Sequence, residues 1–202
     1  MDLLAAAHSA DVWGFLAINH GSRNPLFDAL MPVLSDKRYA LLPGAVAALT
    51  FLVWQGRRAA ATLLVLGVAV GLSDWSGALL KDALQRIRPC HVIPAVHLLA
   101  GCTRSFSLPS NHAVNMAALA TAAWITRTPG RLFLCVLAAG VAFSRVYLGV
   151  HYPGDVLLGA LWGVAIGWLV AQAALRAFKR FPSLRPPQET HGIPGHSASI
   201  SS

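Results

Sequence analysis

Long apolar runs broken by short polar clusters dominate the chain between residues 39 and 180. The runs fall near 39–55, 60–80, 111–127, 131–149 and 155–178. A bilayer core takes about 20 residues of helix, fewer where neighbours help, so each run is a candidate span. The first is short and contains Pro43. Residues 1–38 are mixed. Leu3, Leu4, Ala7, Val12, Phe15 and Leu16 outline an amphipathic, interfacial helix interrupted by His8 and Asp11. Asn24-Pro25 reads as a turn, followed by a second short helix over 27–34. From Pro182 onward Pro, Ser, Gly and His dominate, which predicts a disordered tail over 181–202. The pattern therefore predicts an all-α, polytopic transmembrane bundle of about five to six spans. Interfacial helices occupy 1–38 and the core 39–180.

Composition points the same way. The chain is 55% hydrophobic and 12% charged, with mean hydropathy +0.57, against about 25% charged in soluble domains. The net charge of +8 is scattered between apolar runs, with no basic face interleaved with exposed aromatics, which argues against nucleic acid as a partner. The start lacks a basic n-region and carries Asp2 and Asp11, so no cleavable signal peptide is expected. With five spans, Arg57, Arg58, Arg127, Arg131, Arg176, Lys179, Arg180 and Arg185 share one side. The positive-inside rule makes that side cytoplasmic. Loops 81–110 and 149–154 then face the periplasm or exterior of a bacterial-type inner membrane. Cys90 and Cys102 both lie in the outward loop. There they are either two free thiols or a disulfide contributing roughly 3 kcal/mol by the chain-entropy argument.

Three polar clusters converge on that outward face. Ionisable groups at membrane depth are costly and usually mark function. Lys81 and Arg88 are seven residues apart, which puts them on one helical face, and Pro89 is expected to end that helix. Taken alone, the pair also reads as interfacial cations reaching for the membrane surface. Pro109-Ser110-Asn111-His112 stands before an Ala-rich run. Ser110 suits an N-cap, and a helix N-terminus favours an anion, with His112 in position to donate a proton. Arg145, His151 and Asp155 complete the set, with Asp155 four residues after His151. That carboxylate can fix one ring nitrogen of His151 and leave the other free to attack, by triad logic. Asp74 is expected to partner one of the cations.

In this order, Lys-x6-Arg-Pro, Pro-Ser-x-His and Ser-Arg-x5-His-x3-Asp resemble the three signature motifs of the type 2 phosphatidic acid phosphatase family. The match covers Lys81 to Asp155. The family usually has Gly where this chain has Asn111. The resemblance implies a membrane-embedded lipid phosphate phosphatase that needs no cofactor and no metal. His151 would be the nucleophile, Asp155 its orienter and His112 the acid and then the base. Lys81, Arg88, Ser110, Asn111 and Arg145 would hold phosphoryl oxygens. Undecaprenyl diphosphate is the first substrate candidate because the site faces outward. Phosphatidylglycerol phosphate, phosphatidate and lipid A 1-phosphate are rivals. More remote are a vanadate-dependent haloperoxidase-like protein and a non-enzymatic lipid-binding protein.

Overall fold

A computed structural model describes residues 3–180. The tail expected over 181–202 lies outside the described residues. The elements in order are α1 (Leu3–Asn19), α2 (Pro25–Ser35), α3 (Lys37–Gln55), α4 (Arg57–Leu84), α5 (Pro89–Val92), α6 (Asn111–Ile125), α7 (Arg131–Tyr147) and α8 (Pro153–Arg180). Local chemistry sets many of the ends. Asn24 caps α2 by accepting from the Phe27 amide at 2.9 Å, with Pro25 in the first turn. Asp36 ends α2 and caps α3, accepting from the Arg38 amide at 3.0 Å. Pro43 is accommodated within α3.

The centre of the bundle is α6, which packs against α8, α4 and α7. The reason is size. Ala113, Ala118, Ala122 and Ala123 are buried on α6, and Gly159, Gly163 and Gly167 are buried at every fourth position of α8. A Cβ added to Gly163 would lie 2.1 Å from the Val114 carbonyl oxygen, and one on Gly167 2.5 Å from that of Ala118. The two backbones touch, as in small-residue helix pairs in membranes. Among the described residues, two stretches are by length and hydropathy apolar enough to cross a membrane: Arg57–Val92 and Pro153–Arg180. Many large side chains outside the core are exposed, among them Leu42, Val53, Trp54, Leu64, Phe133 and Leu161.

At one end of the bundle, Leu66, Ala69, Ala122, Ala123 and Ala171 form an apolar cluster. At the other end Phe15, Val146, Tyr147, Leu148, Val150 and Tyr152 are buried. Here α1 docks on α7 and α8, with the Phe15 ring edge-on to Tyr152 at 5.7 Å. Asn19 is fully buried and bridges segments, donating to the Tyr147 carbonyl at 2.7 Å and accepting from the His97 amide at 2.9 Å.

The first cluster departs from the helical-face expectation. The α4 helix ends before Arg88, because Gln85 takes a left-handed conformation (φ 48°) and caps it. Arg88 is extended and sits at the N-cap of α5, which Pro89 begins rather than ends. Asp74 also departs from expectation. Among the described residues it accepts from the side-chain amides of Asn115 at 2.8 Å and Asn111 at 3.5 Å, not from a cation.

Candidate active site

Three segments bring the polar clusters together. The Ser107 amide donates to the Arg86 carbonyl at 2.6 Å, tying the long loop to the end of α4. The Ser110 amide donates to the Asp155 carbonyl at 3.0 Å, joining the start of α6 to the start of α8. Lys81, almost wholly buried, directs its ammonium at the carbonyls of Pro109 (2.7 Å), Phe106 (3.0 Å) and Ser107 (3.5 Å). Lys81 thus shapes the loop carrying the second cluster.

His151 lies in the short connection between α7 and α8 and is 2% exposed. Arg88 donates from Nη1 to the Val150 carbonyl at 3.0 Å and lies 3.2 Å from His151 Nε2. A guanidinium only donates, so Nε2 carries the lone pair and the ring proton sits on Nδ1. On that side Ser107 Oγ is 3.4 Å from Nδ1 and donates to Asp155 Oδ2 at 2.5 Å. Asp155 Oδ2 is 3.6 Å from Nδ1, so Ser107 Oγ, Oδ2 and Nδ1 form a triangle in which Ser107 flanks the pair. Asp155 is fully buried, and its Oδ2 also accepts from the Tyr152 amide at 2.8 Å. Burial, with Asp155 opposing it, holds the His151 pKa down to about 3, so the imidazole is neutral at physiological pH.

The second histidine belongs to a more open group. His112, in the first turn of α6, is half-buried and bonds the Ser35 carbonyl through Nε2 at 3.1 Å. Arg145, near the end of α7, donates from Nη1 to the Ser35 hydroxyl. The joint between α2 and α3 therefore touches both. Ser110 occupies the N-cap of α6, but its side chain makes no capping bond, contrary to the capping expectation. The backbone bond to Asp155 fixes its position instead. Its Oγ, the Asn111 Oδ1 and the Arg145 Nε are the buried side-chain atoms left unpartnered among the described residues.

Several participants are not defining positions of the sequence motifs. Arg86 Nη1 pairs with Asp155 Oδ1 at 2.8 Å, and its Nη2 with Asp11 Oδ2 at 2.6 Å. Ser107 and Ser35 have the roles just described. A third cation inside the first motif and an acid interrupting α1 were the available signals for Arg86 and Asp11. Cys90 and Cys102 are joined by a disulfide with Cα atoms 6.2 Å apart. Among the described residues, Cys90, His91 and Cys102 are grouped closely enough for a metal, but both sulfurs are bonded to each other. Backbone N–H groups at a helix start, two guanidinium groups and a neutral imidazole whose Nε2 lone pair faces Arg88 together suit an oxyanion next to a nucleophile.

The model of the PAP2 superfamily matches residues 62–179, which include all three motifs. The chain belongs to the PAP2 superfamily. A decaprenylphosphoryl-5-phosphoribose phosphatase of Mycobacterium tuberculosis is 35% identical over 107 residues, 53% of this chain and 58% of that protein. The chain thus spans little more than half the length of that relative. An undecaprenyl-diphosphatase of Sulfolobus acidocaldarius is 31% identical over 162 residues, 78% of this chain and 75% of that protein. Among solved structures, a transmembrane PAP2-type phosphatidylglycerolphosphate phosphatase from Bacillus subtilis superposes with a TM-score of 0.64. It is 27% identical, over 87% of this chain and 89% of that one.

Proposed function

We propose that this PAP2 protein is an integral membrane phosphatase that hydrolyses a lipid phosphomonoester or diphosphate through a phosphohistidine on His151. The observation that carries the reading is the Arg88 guanidinium on Nε2, opposite Ser107 and Asp155 on Nδ1. It gives the ring one tautomer, with the attacking lone pair on the Arg88 side. In the first step Nε2 bonds to phosphorus as the bond to the leaving oxygen breaks. The His151 Nδ1 proton stays, and the new ring cation faces Asp155. A carbonyl only accepts, so His112 keeps a proton on Nε2 against Ser35 and exchanges the catalytic proton at Nδ1. It gives that proton to the leaving oxygen, then takes one from the water that attacks the phosphohistidine. Arg88, Arg145, the Ser110 hydroxyl and the Asn111 backbone hold phosphoryl oxygens, with the Lys81 charge behind them. Such positioning and charge neutralisation supply most of phosphoryl-transfer catalysis.

Undecaprenyl diphosphate is our first substrate candidate. Two of the relatives above are named for polyprenyl-linked substrates, and the charge pattern argues for an outward site. The same pattern supports five spans, with α3, α4, α6, α7 and α8 crossing the inner membrane and the arginine-rich turns in the cytoplasm. The test is phosphate release by purified protein from undecaprenyl diphosphate, phosphatidylglycerol phosphate, phosphatidate and lipid A 1-phosphate. We expect the highest kcat/KM on the first and an acid-labile phosphoenzyme that His151→Ala lacks. A higher kcat/KM on another lipid moves the substrate assignment, and no release from any of the four overturns the reading. Bromide oxidation with bound vanadate would instead support the haloperoxidase-like alternative.

A further inference from the structure

Asp155 presents its two oxygens to different neighbours. Oδ2 faces Ser107, the Tyr152 amide and His151. Oδ1 receives Arg86 at 2.8 Å. Were Arg86 the whole story, the buried carboxylate would be neutralised by its own ion pair and offer His151 little. The structure adds a second carboxylate. Asp11, from α1, lies 2.6 Å from the other arm of Arg86 and is itself fixed by the Gly154 amide at 2.7 Å. The guanidinium rests on the Tyr152 ring, 4.2 Å from its centroid. Fit is close: a Cβ on Gly154 would stand 2.8 Å from Asp11 Oδ2. Asp155 is fully buried, and Arg86 and Asp11 are 22% and 12% exposed, so water screens the group weakly.

Two carboxylates on one guanidinium leave one net negative charge, and the end of the chain nearest His151 is Asp155. We propose that Asp11 and Arg86 are positioning residues that set the charge Asp155 presents to His151: Arg86 makes the buried carboxylate tolerable, and Asp11 draws Arg86 back so that Asp155 stays effectively anionic. This rests on His151 as the nucleophile. Phosphorylation at Nε2 leaves a ring cation with its proton on Nδ1, and an anion 3.6 Å from that nitrogen stabilises it. Arg88, Arg145 and Lys81, the other charges placed near the ring and its substrate, are cationic and oppose that cation, which raises the value of the remaining negative charge. A guanidinium serving only as a staple between α1 and α8 has no such dependence on charge parity.

The distinction is measurable with four proteins: wild type (net −1 over the triad), Asp11→Asn (0), Arg86→Gln (−2) and the double variant (−1). Each single change leaves a side chain able to hydrogen-bond. We expect phosphoenzyme formation, followed by rapid quench, to fall about tenfold or more in each single variant, within the usual range for coupled residues. The double variant should exceed Arg86→Gln and approach wild type, with KM little changed throughout. Arg86→Lys, which keeps the charge, should stay closer to wild type than Arg86→Gln, and this holds the question open if Arg86→Gln does not fold. Losses that multiply in the double variant, or that fall on KM or thermal stability alone, overturn the proposal. Orthovanadate affinity, which needs no turnover, should rank the four proteins in the same order. If wild type releases no phosphate and forms no phosphohistidine, the proposed function fails. A flat vanadate ranking overturns the charge inference alone.

Discussion

The two histidines of the site sit in opposite kinds of surroundings. Around His151 the polar atoms are matched: Arg88 on one nitrogen, Ser107 on the other, and Asp155 engaged by Ser107, Tyr152 and Arg86. Around His112 the neighbours are half-matched, and Ser110 Oγ, Asn111 Oδ1 and Arg145 Nε lack partners. A buried polar group left unpaired costs about 1–3 kcal/mol, so such a group is retained against stability. The His151 half is organised by the fold itself. The other half keeps two donors, the Ser110 hydroxyl and the Arg145 Nε–H, that a phosphoryl oxygen can satisfy.

The contrast can be broken most severely at its matched end. His151→Ala should abolish turnover and any acid-labile phosphoenzyme, checked by rapid quench with radiolabelled substrate. Next is the leaving-group test at the open end. His112→Ala should slow phosphoenzyme formation from a lipid by about 10²–10⁴-fold, and much less from p-nitrophenyl phosphate, whose leaving group needs no proton. Equal losses on both substrates would remove His112 as the acid. Arg145→Ala should cost about 10²–10³-fold in kcat and Arg131→Ala far less at equal protein levels. Equal effects would undo the assignment of the two arginines to opposite faces.

Smaller effects sharpen the comparison. Ser107→Ala removes a matched group and should lower both rate and melting temperature. Ser110→Ala removes an unmatched one, so the rate should fall by about tenfold, the low end for a lost hydrogen bond to a charged group, without loss of thermal stability. The last effect is on pH. The folded pKa of His151 lies below its ordinary 6.5. Its contribution to stability is thus complete above pH 6.5 and lost as pH falls toward the folded value, since the unfolded chain takes up the proton first. Thermal melts from pH 7 to pH 4 should show a shallower loss for His151→Gln than for wild type. Parallel curves would mean the ring is not held neutral by burial.

Much of this was legible in the chain. The apolar runs near 60–80, 111–127, 131–149 and 155–178 became α4, α6, α7 and α8, because sustained hydropathy and the Gly130 and Pro153 boundaries act locally. Arg88 was misplaced because a left-handed Gln85 is a backbone choice that spacing does not reveal. Asp11 read only as an interruption of an apolar helix, since its partners Arg86 and Gly154 lie far along the chain. Ser107 and Ser35 carry no motif. Their roles come from loop and joint geometry, which a pattern of residue types does not encode.

The Asp11 contact reaches Gly154 across 143 positions, and Arg86 reaches Asp155 across 69. On a ribosome these partners emerge in sequence. Asp11 comes first, and the carboxylate that completes the group arrives only with the start of the final helix. Until then the growing chain holds an arginine without its buried partner and has no His151 for Arg88 to meet. Assembly of the candidate site therefore waits for the start of α8, and a nascent chain stalled before that point lacks the residues proposed to form and orient the phosphohistidine.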